Sequence, residues 1–190
     1  IVFGDWSSDV CSSDLVASVL GVRQDEVIVR PTILGPHLDG KLWYPSLIAS
    51  HAALAALLTG RPSLLLLSRS EDFLYTPKRA PTLAYYRAGL DDQGMLVALD
   101  TRITIHTGAH APLVKTIVDR ATHAATGAYS CPEYRVSVAA VSSNLPPMGA
   151  FAGLGTGAVS FAMERMASDC ARASSIDPMT WRELNVLKRG

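Results

Sequence analysis

The stretch richest in chemical possibility carries no charge: Pro146-Pro-Met-Gly-Ala-Phe-Ala-Gly-Leu-Gly-Thr-Gly157. Glycine lacks a Cβ, so backbone N–H groups can approach a ligand closely there. A helical pattern begins immediately afterwards, and a helix N-terminus favours anions. Gly153-x-Gly155-x-x-Ala158 also has the form of a dinucleotide fingerprint. The match is incomplete. The fingerprint directly follows a strand, whereas Asn144 to Ala152 intervenes, and no acidic residue ends a following strand about 20 residues on. On spacing alone, a ligand loop and a structural turn both stay open. His106-x-x-x-His110 has the i, i+4 spacing of a metal pair. Gly108 lies between the two, no Glu follows His106 and the pattern is strand-like, so no metal ligand is assigned. His51, among alanines, reads as a packed core or edge histidine. Glu71-Asp72 reads as a solvated turn. Lys78-Arg79 reads as a surface cation pair that can also face a neighbouring subunit. No Ser-His-Asp or Cys-His order stands out.

The elements that must position these residues follow from periodicity and punctuation. Val16 to Gly21 ends a helix with glycine as its cap. Glu26 to Arg30 is a strand by β-branched content, and Pro31 to Tyr44 is loop. Ser46 to Thr59 is a helix that Ser46 can cap and that Gly60 and Pro62 stop. Ser63 to Ser68 is a short buried strand. Pro81 to Gly89 and Met95 to His106 form a hairpin through Asp91-Asp-Gln-Gly94. Leu113 to Ala125 is helical, and Tyr134 to Ser142 alternates as a strand. Ala158 to Ala173 is an amphipathic helix with Val159, Phe161, Ala162, Met166 and Ala173 as candidates for its inner face. Asp177-Pro178 starts a last helix. Mixed strands and helices with one antiparallel hairpin predict an α+β fold, a mixed sheet with packed helices.

Composition limits the function. In 190 residues, 17 Lys+Arg balance 17 Asp+Glu, which gives no general attraction to nucleic acid or to an acidic membrane. A 48% hydrophobic, 18% charged chain has a sizeable core and is not disordered. No apolar run nears the roughly 20 residues of a membrane helix. Cys11, Cys131 and Cys170 have neither metal-ligand spacing nor a disulfide framework, so a reducing compartment is expected. Residues Asp5 to Leu15 repeat Ser-Ser-Asp without helical or strand period. They read as the translation of a sequencing adapter, so residues 1–15 are expected to pack against little. A buried Trp6 or Val10 would contradict that. The helical pattern that stops at Lys188-Arg189-Gly190 suggests an interior stretch of something longer.

From Leu15 to Gly190 the sequence resembles the molybdenum-binding subunit of the xanthine dehydrogenase/aldehyde oxidase family. Several blocks occur in the family's order. Gly35-Pro-His-Leu-Asp-Gly-Lys41 stands where the family has Gly-Gly-Gly-Phe-Gly-Gly-Lys. Ala53-Leu-Ala-Ala-Leu-Leu-Thr-Gly-Arg-Pro62, Ser68-Arg-Ser-Glu-Asp-Phe73 and Thr76-Pro-Lys-Arg-Ala-Pro81 follow. Asp119-Arg-Ala121 precedes Thr126-Gly-Ala-Tyr129 and Cys131-Pro-Glu-Tyr-Arg-Val136. Pro147-x-Gly-Ala-Phe-x-Gly-x-Gly155 matches Pro-x-Gly-Ala-Phe-Arg-Gly-Phe-Gly, and Ile176-Asp-Pro-Met-x-Trp-Arg-x-x-Asn185 is family-like.

The resemblance implies a cytoplasmic molybdenum hydroxylase of which residues 16–190 form part of the first molybdopterin-binding domain. The cofactor would be molybdenum-molybdopterin, the cytosine dinucleotide being one form. The substrate would be a small heterocycle or aldehyde. 2Fe-2S clusters and FAD would sit on partner domains or subunits; neither nucleic acid nor membrane is a partner. By carry-over, Gly35, Leu38, Gly40, Gly149, Ala150, Phe151, Ala152 and Gly153 contact the cofactor, and Leu42 and Leu154 line the substrate pocket. Arg120 matches an arginine that binds substrate and stabilises charge developing on the ring. Ala152 replaces the family's arginine, and Leu154 and Leu38 each replace a phenylalanine. Pro36, His37 and Asp39 replace glycines, so cofactor packing differs. The family's glutamate base belongs to a later region, so this stretch alone is expected to be inactive. A cofactor-free divergent paralogue serving as an interaction module and a dinucleotide-binding domain are the alternatives.

Overall fold

The computed structural model describes residues 9–30, 43–110, 113–148 and 151–188. The chain divides into two compact units, Ile1–Lys78 with Ala150–Ala152, and Arg79–Gly149 with Gly153–Gly190.

The described part of the first unit is helical. Helix α1 spans Asp9–Leu20 and α2 spans Tyr44–Thr59, and they share a small core of Val16, Ala49, Ala52 and Ala53. The helix reaches back into the Ser/Asp-rich stretch, where no helical period was expected. Once Val16 and Ala17 are buried, each added turn gains backbone hydrogen bonds without new nucleation. Trp6 and the side chain of Val10 lie outside the described residues. Pro45 occupies the first turn of α2, and Ser46 is buried inside the helix rather than capping it. Its carbonyl accepts from Ser50 Oγ at 2.8 Å. Gly60 closes α2 in the left-handed conformation at φ 65°.

Both strands expected here are corrected. Gln24–Glu26 is one 3-10 turn, and residues 27–30 and 62–68 join no sheet among the described residues. β propensity needs a partner strand to take up its N–H and C=O groups. Glu71-Asp72 is likewise not a turn but the first turn of α3, Arg69–Tyr75. Ser68 and Glu71 form a reciprocal capping box, with Glu71 N donating to Ser68 Oγ and Ser68 N to Glu71 Oε2. Lys78 is half-buried rather than a surface cation. Its Nζ donates to the Asp72 carbonyl at 2.6 Å and the Thr76 carbonyl at 2.8 Å, a cation at a helix C-terminus.

The second unit is a three-stranded mixed sheet backed by helices, so the α+β reading holds. Strands β1 (Thr82–Leu90) and β2 (Leu96–Gly108) form the expected antiparallel hairpin. Helix α4 (Val114–Ala124) then returns the chain to β3 (Glu133–Ser142), which pairs parallel to β2 in the order β1-β2-β3. Helix α5 (Thr156–Ala173) and helix α6 (Pro178–Asn185) follow, the latter capped by Asp177 through Met179 N and Thr180 N. Two core clusters support the sheet. One gathers Leu96, Leu99, Tyr129, Met163, Ala167, Ala171 and Trp181; the other gathers Ile103, Ile105, Ile117, Ala121 and Val159.

Helix α5 buries Val159, Met163, Met166, Ala167, Cys170 and Ala171, a stripe at i, i+4, i+7, i+8 spacing. Phe161 lies about 200° from Val159 on that wheel. It stays 76% exposed, and Ala173 is exposed too, so neither belongs to the inner face. Phe161 instead lines a groove of about 1170 Å³ between α5 and β1.

Candidate functional site

The glycine-rich segment is placed by the end of the sheet. Ser143 N donates to the Gly108 carbonyl, Ala109 N to the Leu145 carbonyl at 2.8 Å and Met148 N to the Thr107 carbonyl at 2.9 Å. The chain after β3 therefore runs on beside the end of β2. Gly108 must be glycine, because φ is +69° and a Cβ would stand within bonding range of the Pro146 carbonyl. His106 Nε2 lies 2.7 Å from Ser143 Oγ, which occupies the ring in this same junction. Among the described residues no three His, Cys, Asp or Glu group as a metal site.

The turn that follows is strained. Gly153, Leu154 and Gly155 all have positive φ, at 83°, 41° and 95°. Three consecutive left-handed residues are uncommon, and a leucine there costs energy that the surroundings must offset. Leu154 is half-buried against the cluster containing Ile117 and Val159. At Gly155 a Cβ would meet the Ile117 carbonyl of α4 at 2.7 Å. The glycine thus lets the start of α5 lie directly against α4. Thr156 completes the turn, with its N and Oγ1 both donating to the Gly153 carbonyl. Ala152 and Gly153 are exposed and Phe151 is half-buried. At the α5 N-terminus, Arg79 brings its Nη1 to 3.3 Å from where a Gly157 Cβ would be.

Arg120 lies on α4 one turn beyond Ile117 and is exposed. Its helix is anchored by Ile117, Ala121 and Ala125 and carries a Lys115–Asp119 pair at 2.8 Å. The structure thus brings the helix bearing Arg120 to the Gly153–Gly155 turn. Gly35, Leu38, Gly40, Leu42, Gly149 and Ala150 lie outside the described residues. Phe151 and Ala152 are grouped with the first unit and Gly153 onward with the second, so the predicted loop is divided between them. His51 is exposed on α2, not packed in a core.

The dinucleotide reading does not survive this geometry. No strand enters Gly153: β3 ends at Ser142 and residues 143–148 belong to no strand. Burial pushes the Cys131 and Cys170 thiols up from their ordinary value, so neither is held as a thiolate.

Sequence reasoning missed two polar networks. Tyr129 OH donates to Glu164 Oε1 at 2.8 Å, and Arg182 Nε donates to Glu164 Oε2 at 2.9 Å. Buried Asn185 accepts from Leu96 N at 2.7 Å and donates to the Gly94 and Trp181 carbonyls. The signal for the second was present in the family-like ending, but its partners are remote in sequence.

The sequence matches the molybdopterin cofactor-binding domain family over residues 11–186. It is 32% identical over 177 residues to aldehyde oxidase 3 of Rattus norvegicus, which covers 93% of this chain and 13% of that protein. It is 32% identical over 189 residues to the xanthine dehydrogenase/oxidase of Mus musculus, covering 100% of this chain and 14% of that one. The fold is similar to the aldehyde oxidoreductase of Desulfovibrio gigas, at TM-score 0.81 and 23% identity, over 94% of this chain and 19% of the other. It is also similar to quinoline 2-oxidoreductase of Pseudomonas putida 86, at TM-score 0.79 and 24% identity, over 93% and 23%. The chain therefore spans only a small part of the proteins it matches.

Proposed function

The chain belongs to the family of molybdopterin cofactor-binding domains, and on that premise we propose that it is part of the catalytic subunit of a molybdenum hydroxylase that oxidises an N-heterocycle or an aldehyde. The family match over residues 11–186 carries this reading. The local geometry supports it. Ala152 and Gly153 are exposed, uncharged and small, at a strained turn before an 18-residue helix, which suits close approach of a bulky anionic cofactor to the backbone. When bound, the molybdenum cofactor supplies the oxidative hydroxylation.

The chain's own residues have binding and positioning roles. Phe151, Ala152 and Gly153 hold the cofactor, together with Gly149, Ala150, Gly35, Leu38 and Gly40. Leu154 and Leu42 shape the substrate pocket. Arg120 steadies negative charge that develops on the substrate ring, a contact worth roughly 3–4 kcal/mol in a water-poor site. On this reading, 2Fe-2S and FAD groups on partner domains or subunits would take up the electrons, and the enzyme would work in the cytoplasm. Aldehyde oxidase and xanthine dehydrogenase as relatives leave both substrate classes in play.

The test is to purify the full-length protein that carries this chain and measure molybdenum by elemental analysis and pterin by fluorescence. Stoichiometric amounts of both are expected. A pure, folded protein with neither would overturn the reading in favour of a cofactor-free paralogue acting as an interaction module. The replacement of loop glycines by Pro36, His37 and Asp39 is what recommends that second reading.

A further inference from the structure

Leucine suits a left-handed backbone poorly, yet Leu154 stands at φ 41° between Gly153 at 83° and Gly155 at 95°. A glycine there would avoid the strain, so the side chain has to be accounted for by what it touches. It packs against the buried cluster that contains Ile117, Ala121 and Val159. Ile117 meets the same turn a second time. A Cβ on Gly155 would stand 2.7 Å from the Ile117 carbonyl and 3.1 Å from Ile117 Cγ2. Ile117 is itself fully buried, in a close-packed interior that transmits displacement. Arg120 follows it by three residues, about 60° short of a full turn of α4. Arg120 therefore stands at the margin of the buried stripe formed by Ile117, Ala121 and Ala125. One buried side chain thus lies against the turn that carries Gly153 and one helical turn from the arginine.

We propose that Ile117 is a positioning residue, with Leu154 as its counterpart in the turn, and that it fixes the separation between Arg120 and Gly153–Gly155. This rests on the cofactor and substrate roles proposed above for Gly153 and Arg120. A ring held by Arg120 has to be presented to the bound cofactor at one separation, and a misplacement of about 1 Å costs on the order of 100-fold in rate. Ile117 is buried, so it acts through the packing of α4 on the turn and not through contact with substrate.

A double-mutant cycle in the full-length enzyme tests this, with quinoline or benzaldehyde as the probe, whichever is turned over faster. Ile117→Leu keeps the side-chain volume but removes the Cγ2 that faces Gly155, whereas Ile117→Val keeps that atom. Ile117→Leu is expected to lower kcat/KM about 10- to 100-fold and Ile117→Val less than about threefold, at closely similar melting temperatures. In an Arg120→Ala background Ile117→Leu is expected to cost nothing further, because the group that it positions is gone. Additive losses would make Ile117 a packing residue only and would overturn the proposal. Hydrogen exchange on the cofactor-free protein reads the turn without activity. The Thr156 amide, which donates to the Gly153 carbonyl, is expected to exchange about 10-fold faster in Ile117→Leu and at the original rate in Ile117→Val. Equal rates in all three proteins would also overturn the proposal. Leu154→Ala, which empties the same contact from the side of the turn, replaces Ile117→Leu in both measurements if that variant does not fold. A full-length protein without molybdenum overturns the functional reading and this proposal with it; a molybdenum-loaded protein with additive losses overturns this proposal alone.

Discussion

Arg120 and Asn185 make opposite demands on their surroundings. Arg120 is exposed on α4, so its removal removes little packing. Arg120→Ala is expected to change stability by less than about 0.5 kcal/mol. In the full-length enzyme it is expected to lower heterocycle turnover by about 100- to 1000-fold. Steady-state kinetics beside a melting curve separate the two effects, and unchanged kinetics would remove Arg120 from the site. Asn185 is buried and holds three groups from the hairpin turn and α6. Asn185→Leu leaves Leu96 N without its acceptor and removes the side-chain donor to the Gly94 and Trp181 carbonyls. A loss of about 3 kcal/mol or more is expected in denaturant unfolding. Tyr86 and Tyr129 contribute to the loss of stability at alkaline pH. Burial pushes both phenols up to about 12, helped at Tyr129 by its hydrogen bond to Glu164. Each is harder to ionise folded than unfolded, so ionisation favours the unfolded chain. Their contribution is complete below about pH 10 and is lost as the pH rises towards 12. Ultraviolet titration should show Tyr86 and Tyr129 ionising late, with one late phenol lost from the titration in Tyr86→Phe and one in Tyr129→Phe.

Elements were legible where their cause is local. The β1–β2 hairpin is written in Asp91-Asp-Gln-Gly94: Asp91 Oδ1 accepts from Gln93 N and Met95 N, and Gly94 takes φ +79°. The start of α6 is written in Asp177-Pro178 for the same reason. Residues 27–30 and 63–68 were misread because a strand is completed by its neighbour, and no such neighbour was found among the described residues. Helix α3 was overlooked although Ser68 and Glu71 stand at capping-box spacing. The turn before α5 shows both sides. Its glycines were visible, but their reason was not, because Ile117 is remote in sequence and only the fold brings its carbonyl to Gly155. Gly155→Ala is therefore expected to cost about 1–3 kcal/mol, from backbone strain and the clash with α4. In the full-length protein the same variant should lower the molybdenum content, since the displaced turn includes Gly153.

On the scale of the whole molecule, the two units differ in what they bury. Among the described residues, the first unit's core cluster consists of Val16 and three alanines with Leu20 and Val27 packed against it, and alanine removes little apolar area from water. In the second, β2 places Leu99, Ile103 and Ile105 against helices that contribute Ile117, Met163 and Trp181. Apolar area converts to stability at roughly 25 cal/mol per Å², so among the described residues the second unit's core has more to lose on opening. The cofactor-binding assignment was legible at this scale because several blocks keep the family's order along the chain, which no single spacing could establish. How the blocks meet was not legible, since local patterns do not encode distant contacts. Native-state hydrogen exchange should register the difference in burial. Amides of α1 and α2 are expected to open at a lower free energy than those of Leu99 to Ile105, in separate cooperative steps. Raising the denaturant should merge the β2 amides with global unfolding while α1 and α2 have already exchanged. Identical opening energies in both units would mean that the first unit draws stability from contacts beyond its own small core.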